Sequence, residues 1–329
     1  MKIQHRNDIS FKNLEPMILC CGEALIDFMP LEKKDSKIFY TPCPGGSSLN
    51  TAVALGRLNH NVGMLTGISN DLFGKQLIAH LEESNVDCSL VVRSNLDTTL
   101  AFVSAESLEG NVEYAFYAKE TADRSISLEN LPKLLPDNIE VLEFGSISLV
   151  MEPSASSYEH LMFRESTKRF ISLDPNIRPD FIPDALVFQK RFDNWLDHVD
   201  LLKLSDADLE WLYPNCNIDD AVSQILSKKV QAVFLTMGEK GASAYTKNHQ
   251  IFAKTPFVSV KDTVGAGDSF HAGLLYKLAK MDRLKLGQLK EIKEPELKAS
   301  LQFAMKVAAL TCTNTGASPP KIDEISPED

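Results

Sequence analysis

Asp262-Thr263-Val264-Gly265-Ala266-Gly267-Asp268-Ser269-Phe270 runs straight into the helical spacing of Phe270 to Leu278. The small residues permit a tight strand-to-helix turn and let the backbone approach a bound anion closely. Free N–H groups at the start of the helix, at the positive end of its dipole, can hold a phosphate there. Asp268 falls in the first turn, where the dipole favours a negative side chain, and beside a bound phosphate it can accept a proton from an attacking hydroxyl. Spacing alone leaves a second reading equally open, in which the glycines serve only the turn and Asp268 only caps the helix.

Outward from this turn, the short apolar runs Met17-Cys21, Val62-Thr66, Val141-Gly145, Phe170-Asp174, Leu201-Leu204 and Ala232-Thr236 read as strands. Helical spacing separates most of them, at Ser48 to Leu58, Asp71 to Glu83, Ser154 to Lys168 and Asp219 to Lys228. The alternation predicts an α/β fold with a mainly parallel sheet, helices on its faces and right-handed crossovers. Ligands of such sheets sit at the carboxyl ends of the strands.

Two stretches break the rhythm. Ile26 to Tyr40 and Thr98 to Tyr117 alternate with period two, as in Leu100-Phe102 and Val112-Tyr114-Phe116, with no helix between their strands. They are expected to form a small antiparallel sheet that projects as a lid, the alternative being extra edge strands on one continuous sheet. The chain is expected to be a single domain over residues 1–329, with lid strands from about 26–43 and 98–117. The Lys- and Glu-rich stretch Lys280 to Glu296 reads as a solvated loop or helix face.

Composition narrows the function. The 329 residues carry 34 Lys plus Arg against 45 Asp plus Glu, a formal charge of −11, with 44% hydrophobic and 24% charged residues. That is the balance of a soluble protein with a sizeable core, and it excludes disorder and collagen-like repeats. A pI of 5.2 denies the chain the cationic field that nucleic-acid binding uses, so any phosphate must be gripped locally. The six cysteines, Cys20, Cys21, Cys43, Cys88, Cys216 and Cys312, form no C-x-x-C pair and are expected to be reduced, mostly buried thiols of a cytoplasmic protein. The polar start and the short Met17-Cys21 run predict neither a targeting segment nor a membrane span. There is no G-x-x-x-x-G-K-[ST]. Phe270 occupies the third glycine position of a dinucleotide fingerprint, and no H-E-x-x-H is present, which disfavours dehydrogenase and zinc hydrolase chemistry. Ser269 has no His at a telling position to make it a hydrolase nucleophile.

A second cluster, Gly45-Gly46-Ser47-Ser48-Leu49-Asn50, opens the helix Ser48 to Leu58. Paired glycines and a polar face bring backbone and the Asn50 amide against a hydroxylated ligand, while Leu49, Val53 and Leu58 pack inward. Taken alone, the cluster is read more simply as an ordinary loop with an N-cap serine.

In chain order, Gly22-Glu23-Ala24-Leu25-Ile26-Asp27, Gly45-Gly46 with Asn50, Gly67-Ile68-Ser69-Asn70-Asp71 with Gly74, Asp174-Pro175-Asn176-Ile177-Arg178, Thr236-Met237-Gly238-Glu239-Lys240-Gly241 and Asp262 to Gly273 resemble the ribokinase-like (PfkB) family of carbohydrate kinases. The resemblance runs from about Met17 to Pro320, and its closing segment is highly specific. It implies ATP-dependent phosphorylation of a sugar hydroxyl in a cleft between an α/β body and a β-sheet lid. By it, Asp268 is the catalytic base, and the backbone of Gly265, Ala266 and Gly267 stabilises the transferring phosphoryl group. Asp27, Gly45, Gly46 and Asn50 match sugar-binding positions. Arg178 matches a position that meets substrate or phosphate charge, for which its fork of donors suits it better than lysine. Thr236, Gly238 and Gly241 correspond to the nucleotide loop. The family's Asn-x-x-Glu element, which organises magnesium, corresponds to Ser205-Asp206-Ala207-Asp208. Ser205 then joins the nucleotide site and Asp208 meets magnesium through water, with Asp206 as the other carboxylate in reach. Asp262, Val264, Thr311, Asn314 and Gly316 match a monovalent cation site, which implies potassium. Homodimerisation through the lid is a family-based expectation.

Within the family, the opening motif and Asp174 to Arg178 look most like fructokinases and 2-keto-3-deoxygluconate kinases, with fructose as first choice. A keto acid would want a further cation from Lys37, Arg93, Lys119 or Arg124. A nucleoside such as adenosine would want an aromatic slot from Phe102, Phe116 or Tyr117. A kinase-like protein that binds sugar or nucleotide without turnover is the reading from another class, favoured only by the altered Ser205 to Asp208 element. A purely structural module would gain no thermal stability from ATP and magnesium.

Overall fold

The computed structural model describes residues 15–31, 38–104 and 114–325. From β1 (Met17–Cys21) the chain passes through Gly22, Glu23 and Ala24 into β2 (Leu25–Pro30), and β3 (Tyr40–Gly45) leads into α1 (Ser47–Arg57). Next come β4 (Val62–Leu65), β5 (Gly67–Ser69), α2 (Leu72–Glu83), β6 (Val86–Asp87), β7 (Val92–Ser94), β8 (Leu100–Val103) and β9 (Tyr114–Tyr117). A regular alternation follows in β10 (Ile139–Gly145), α3 (Ser154–Glu165), β11 (Phe170–Asp174), α4 (Ala185–Trp195), β12 (Leu201–Ser205), α5 (Asp206–Leu212), α6 (Ile218–Leu226) and β13 (Ala232–Thr236). The hairpin β14 (Ala242–Tyr245) and β15 (Gln250–Ala253) then precedes α7 (Ala266–Lys280) and α8 (Glu294–Thr311).

Nine strands form one sheet in the order β15-β14-β13-β12-β11-β10-β1-β4-β6. The pairs from β6 across to β13 are parallel, and the β14–β15 hairpin adds an antiparallel edge. Central parallel strands are covered on both faces, which is why they read as continuous apolar runs. In β1, Ile18 and Cys20 face a core shared with α1, α2, α7 and α8, while Leu19 and Cys21 face the core under α3, α4 and α6. Side-chain caps start several of these helices. Asp71 accepts from Gly74 N at 2.7 Å, Asp184 from Val187 N at 3.0 Å and Asn217 from Asp220 N at 2.9 Å.

A separate four-stranded sheet has the order β3-β2-β8-β9. It is not purely antiparallel as expected, because β2 and β8 run parallel between two antiparallel pairs. They belong to distant segments that enter the sheet in the same direction. Asp27, Ala101 and Phe116 are register partners and share one face of this sheet. Residues 32–37 and 105–113, including Lys37 and Val112, lie outside the described residues.

Several expectations are corrected. The stretch Lys280 to Glu296 is not simply solvated, since Leu284, Leu289 and Ile292 are buried and pin it to the core before α8 begins. Only Cys20 and Cys21 are buried among the six cysteines, and the other four are half-buried, though all six are free thiols. Among the described residues no helix is long and apolar enough to cross a membrane.

Candidate active site

The ends of the parallel strands converge on one rim. Gly145 closes β10 beside Asp174 at the end of β11, and Ser205 closes β12 beside Thr236 at the end of β13. A cleft of about 560 Å³ opens between this rim and the small sheet. Asp27 and Phe116 line it from the small sheet, Ser47 and Asn50 from α1, and Asn176 and Arg178 from the loop after β11. Gly265, Gly267 and Asp268 close it from the turn that opens α7.

That turn has the geometry expected of it. Gly265 caps α7 in the left-handed region at φ 74°, and a Cβ there would lie 2.7 Å from Ala317 Cβ, so a side chain is excluded twice over. Ala266 N donates to Thr263 O at 3.2 Å, which folds the loop back on itself before the helix begins. Gly267 and Asp268 then contribute first-turn N–H groups, which a helix cannot satisfy internally. The Asp268 side chain is buried, and its oxygens accept from Ser47 Oγ at 2.7 Å, Asn50 Nδ2 at 2.9 Å and Asn176 Nδ2 at 3.5 Å. A carboxylate held by neutral donors at a helix N-terminus, open to a cleft, can accept a proton from a bound hydroxyl beside a bound anion.

Gly45 does not line the cleft but makes room behind it, because a Cβ there would fall 2.0 Å from Asp27 Oδ2. Burial pushes the Asp27 carboxyl up to about 6, the Asp268 charge adds to this, and Arg178 opposes it. Gly46, at φ 109°, turns the chain into α1. Arg178 is exposed at the mouth, where its Nη1 donates to Asn176 Oδ1 at 2.7 Å.

The positions expected to meet the nucleotide lie beyond this cleft. Gly238 and Gly241, at φ 55° and 128°, bracket a short turn directly after Thr236. Ser205 caps α5 in a reciprocal box with Asp208, whose Oδ2 accepts from Ser205 N and Oγ. Asp208 Oδ1 accepts from Ile177 N at 2.7 Å. Both oxygens of Asp208 are thus engaged by protein donors, while Asp206 is exposed. Asp262 draws two loops together by accepting from Val264 N at 3.1 Å and Gly316 N at 2.8 Å. Thr311 turns its hydroxyl back to Val307 O inside α8, and Asn314 donates to Ser318 O.

Sequence reasoning missed the charges beneath the rim. Lys203, on β12, is buried and donates to buried Asp174 Oδ2 at 2.7 Å. A Cβ on Gly267 would sit 3.1 Å from its Nζ, so an ammonium lies directly behind the glycine turn. Burial alone would lower the Lys203 pKa, but Asp174, Asp208 and Asp268 outweigh it and raise it. Its signal was a lysine inside the apolar run Leu201-Leu204, which a strand covered on both faces tolerates only with a partner.

Residues 15–324 of the chain match the pfkB family carbohydrate kinase pattern. The chain belongs to this family. A fructokinase of Rhizobium leguminosarum bv. trifolii is 43% identical over 268 residues, covering 82% of this kinase and 81% of the relative. A probable fructokinase-2 of Arabidopsis thaliana is 33% identical over 92% of each chain. The crystal structure of a fructokinase with bound ATP from Xylella fastidiosa superimposes at a TM-score of 0.85 with 28% identity, over 92% of this kinase and 94% of that chain. A Vibrio cholerae O395 fructokinase double mutant, in fructose-, ADP- and potassium-bound form, gives 0.79 with 27% identity over 92% and 94%.

In this carbohydrate kinase the residues weighed for other substrates are largely committed elsewhere. Arg93 donates to Ser69 O at 2.7 Å and Arg124 to Ala118 O. Phe102 stacks on Phe28 at 4.4 Å and meets Tyr117 edge-on, on the sheet face away from Asp27, so of the three candidate aromatics only Phe116 lines the cleft. Glu23, also at the cleft, gives the kinase a measurable acid group. It is buried, Oε1 accepts from Ser47 N at 2.8 Å, and burial pushes its carboxyl from 4.5 up to about 7. A carboxyl raised on folding holds its proton longer in the folded state, so it costs stability as pH rises from about 4.5 to 7, and the cost stays above that. Glu23→Gln is expected to flatten the fall of stability across this window by about 1.4 kcal/mol per pH unit at most. Urea denaturation at several pH values reads this directly, and an unchanged slope would place the titration elsewhere.

Proposed function

We propose that this carbohydrate kinase transfers the γ-phosphoryl group of MgATP to a primary hydroxyl of fructose, with Asp268 as general base. The observation that carries the reading is the meeting of Asp268 and the Gly265-Ala266-Gly267 turn with Asp27 and Asn50 in one cleft. The lid sheet closes on the sugar, whose hydroxyls are read by Asp27 and Asn50 with Gly45 and Gly46 giving room. ATP then fills the shelf at Ser205, Thr236, Gly238 and Gly241. Asp268 takes the hydroxyl proton as the oxygen attacks the γ-phosphorus, the bond to the β–γ bridging oxygen breaks, and ADP leaves. The first-turn N–H groups, with Arg178 from the mouth, stabilise the charge on the transferring group.

Magnesium enters as part of the nucleotide substrate. Among the described residues no group of three or more His, Cys, Asp or Glu is placed to hold a metal, and Asp208 is already engaged by protein donors. Asp262 is the carboxylate for a monovalent cation, because among the described residues each of its oxygens accepts a single backbone N–H and keeps acceptor capacity, whereas Asp208 Oδ2 takes two donors. Potassium there would reinforce the electrostatics of the glycine turn, with Val264, Thr311, Asn314 and Gly316 as its surroundings. The names of the relatives support fructose, as does the cleft lining, where Arg178 is the one cationic side chain among the described residues. Exposed Tyr117 with Phe102, on the lid face away from Asp27, is the surface for a homodimer on the same reading, beside Phe28, which Phe73 of α2 already covers in part.

ADP release with MgATP and potassium, compared across fructose, ribose, 2-keto-3-deoxygluconate and adenosine, tests the assignment. The highest kcat/KM is expected for fructose. A faster rate with another acceptor would replace fructose, and ATP binding without turnover of any acceptor would favour a binding protein.

A further inference from the structure

Two of the three donors on Asp268, Ser47 and Asn176, are not independent of each other. Arg178 Nη1 donates to Asn176 Oδ1 at 2.7 Å, Asn176 Nδ2 donates to Ser47 Oγ at 3.0 Å, and Ser47 Oγ donates to Asp268 Oδ1 at 2.7 Å. The direction of this chain is dictated by its ends. A guanidinium can only donate, so the Asn176 carbonyl oxygen must face Arg178 and its NH2 must face Ser47. A carboxylate accepts, so the single Ser47 proton must point at Asp268. Every bond is therefore polarised toward Asp268, with a permanent positive charge at the far end, and bonds in such a chain strengthen one another.

Both intermediate residues are anchored from behind. Ser47 N donates to Glu23 Oε1 at 2.8 Å, and the residue after Asn176 is tied by Ile177 N to Asp208 Oδ1 at 2.7 Å. Asn176 sits at φ 39°, a conformation that asparagine tolerates better than most residues and that turns its amide back toward α1. Arg178 at the mouth is thereby linked to the carboxylate at the base of the cleft.

We propose that Ser47 and Asn176 are positioning residues that align Asp268 through this chain. The proposal rests on Asp268 being the base. Without Ser47 the carboxylate keeps Asn50 on Oδ2 but loses its short bond on Oδ1, and it can rotate away from the attacking hydroxyl.

The test is steady-state kinetics of the full chain with MgATP and fructose. Ser47→Ala and Asn176→Gly, the latter keeping the backbone conformation, are each expected to lower kcat roughly tenfold, the size of one hydrogen bond to a charged group. The KM for sugar should stay within about twofold, since a positioning role acts on the transition state. The double variant should be no slower than the slower single variant, because the chain acts as one unit, and Ser47→Thr, which keeps the hydroxyl, should restore most of the rate. A raised sugar KM with unchanged kcat would make Ser47 a sugar ligand and overturn the proposal. So would losses that multiply in the double variant, or a normal rate in Ser47→Ala. Should Ser47→Ala melt early, Asn176→Gly and Ser47→Thr carry the comparison. Asp268→Asn, assayed alongside, separates the two levels: if it is active the base assignment fails, and if it is inactive while Ser47→Ala is normal only the chain fails.

Discussion

Asp268→Asn is expected to lower kcat for sugar phosphorylation by roughly a hundredfold or more, the range for losing a general base. The substitution keeps the shape of the side chain and removes its charge and basicity. Ser47, Asn50 and Asn176 all donate to Asp268, and an amide has one acceptor oxygen in place of two, so one donor is left facing an NH2 group. That mismatch costs about 1–3 kcal/mol of stability, too little to unfold the protein. The residual rate reports the glycine turn and substrate positioning, which the variant retains. The decisive measurement is ADP release beside thermal melting with and without MgATP. A variant that melts normally, gains stability from the nucleotide and still turns over at more than a tenth of the parent rate would remove Asp268 from the role of base.

Lys203→Met is expected to produce the largest loss of stability, about 3–5 kcal/mol, because it strips the partner from a buried carboxylate. The side chains of Lys203 and Asp174 are only 4% and 1% exposed, so water cannot replace the lost ammonium. Asp174 Oδ1 has no hydrogen-bond partner among the described residues, and Asp208 and Asp268 add negative charge nearby. Burial already pushes the Asp174 carboxyl up to about 6 with the lysine present, against the pull of Lys203. Lys203→Met combined with Asp174→Leu removes both charges together and should recover much of the loss, since apolar replacement of a buried pair is often neutral. Urea denaturation of the parent, the single and the double variants separates these outcomes. A Lys203→Met protein within about 1 kcal/mol of the parent would mean that the pair is not ionised in the folded state.

What could be foreseen without coordinates depended on how far apart the interacting residues lie. The runs Met17-Cys21 and Phe170-Asp174 betray central strands because both their faces are covered, a property local to each run. The turn at Gly265 is legible for the same reason, since its left-handed backbone demands glycine wherever the fold places it. The start of α8 was hidden under Lys and Glu, because one turn of that helix is solvated before its apolar positions begin. The partners of Lys203 and Ser47 were hidden more deeply. Asp174 precedes Lys203 by 29 positions, and Ser47 meets Asp268 across 221, so neither pairing leaves a pattern in a single stretch of sequence. Glu23 stood in a quoted motif, but its raised pKa comes from burial that only the assembled cleft imposes.

The span between α1 and α7 also sets the order in which a ribosome can complete this enzyme. Ser47 and Asn50 leave the exit tunnel early, whereas their carboxylate partner follows 221 and 218 residues later. Asp27 and the glycines beside it, Gly45 and Gly46, are synthesised with the first group, and the glycine turn that opens α7 with the last. A nascent chain therefore carries Asp27, Ser47 and Asn50 through most of its synthesis without the carboxylate and glycine turn that complete the cleft, or the helices α7 and α8 that cover one face of its central strands.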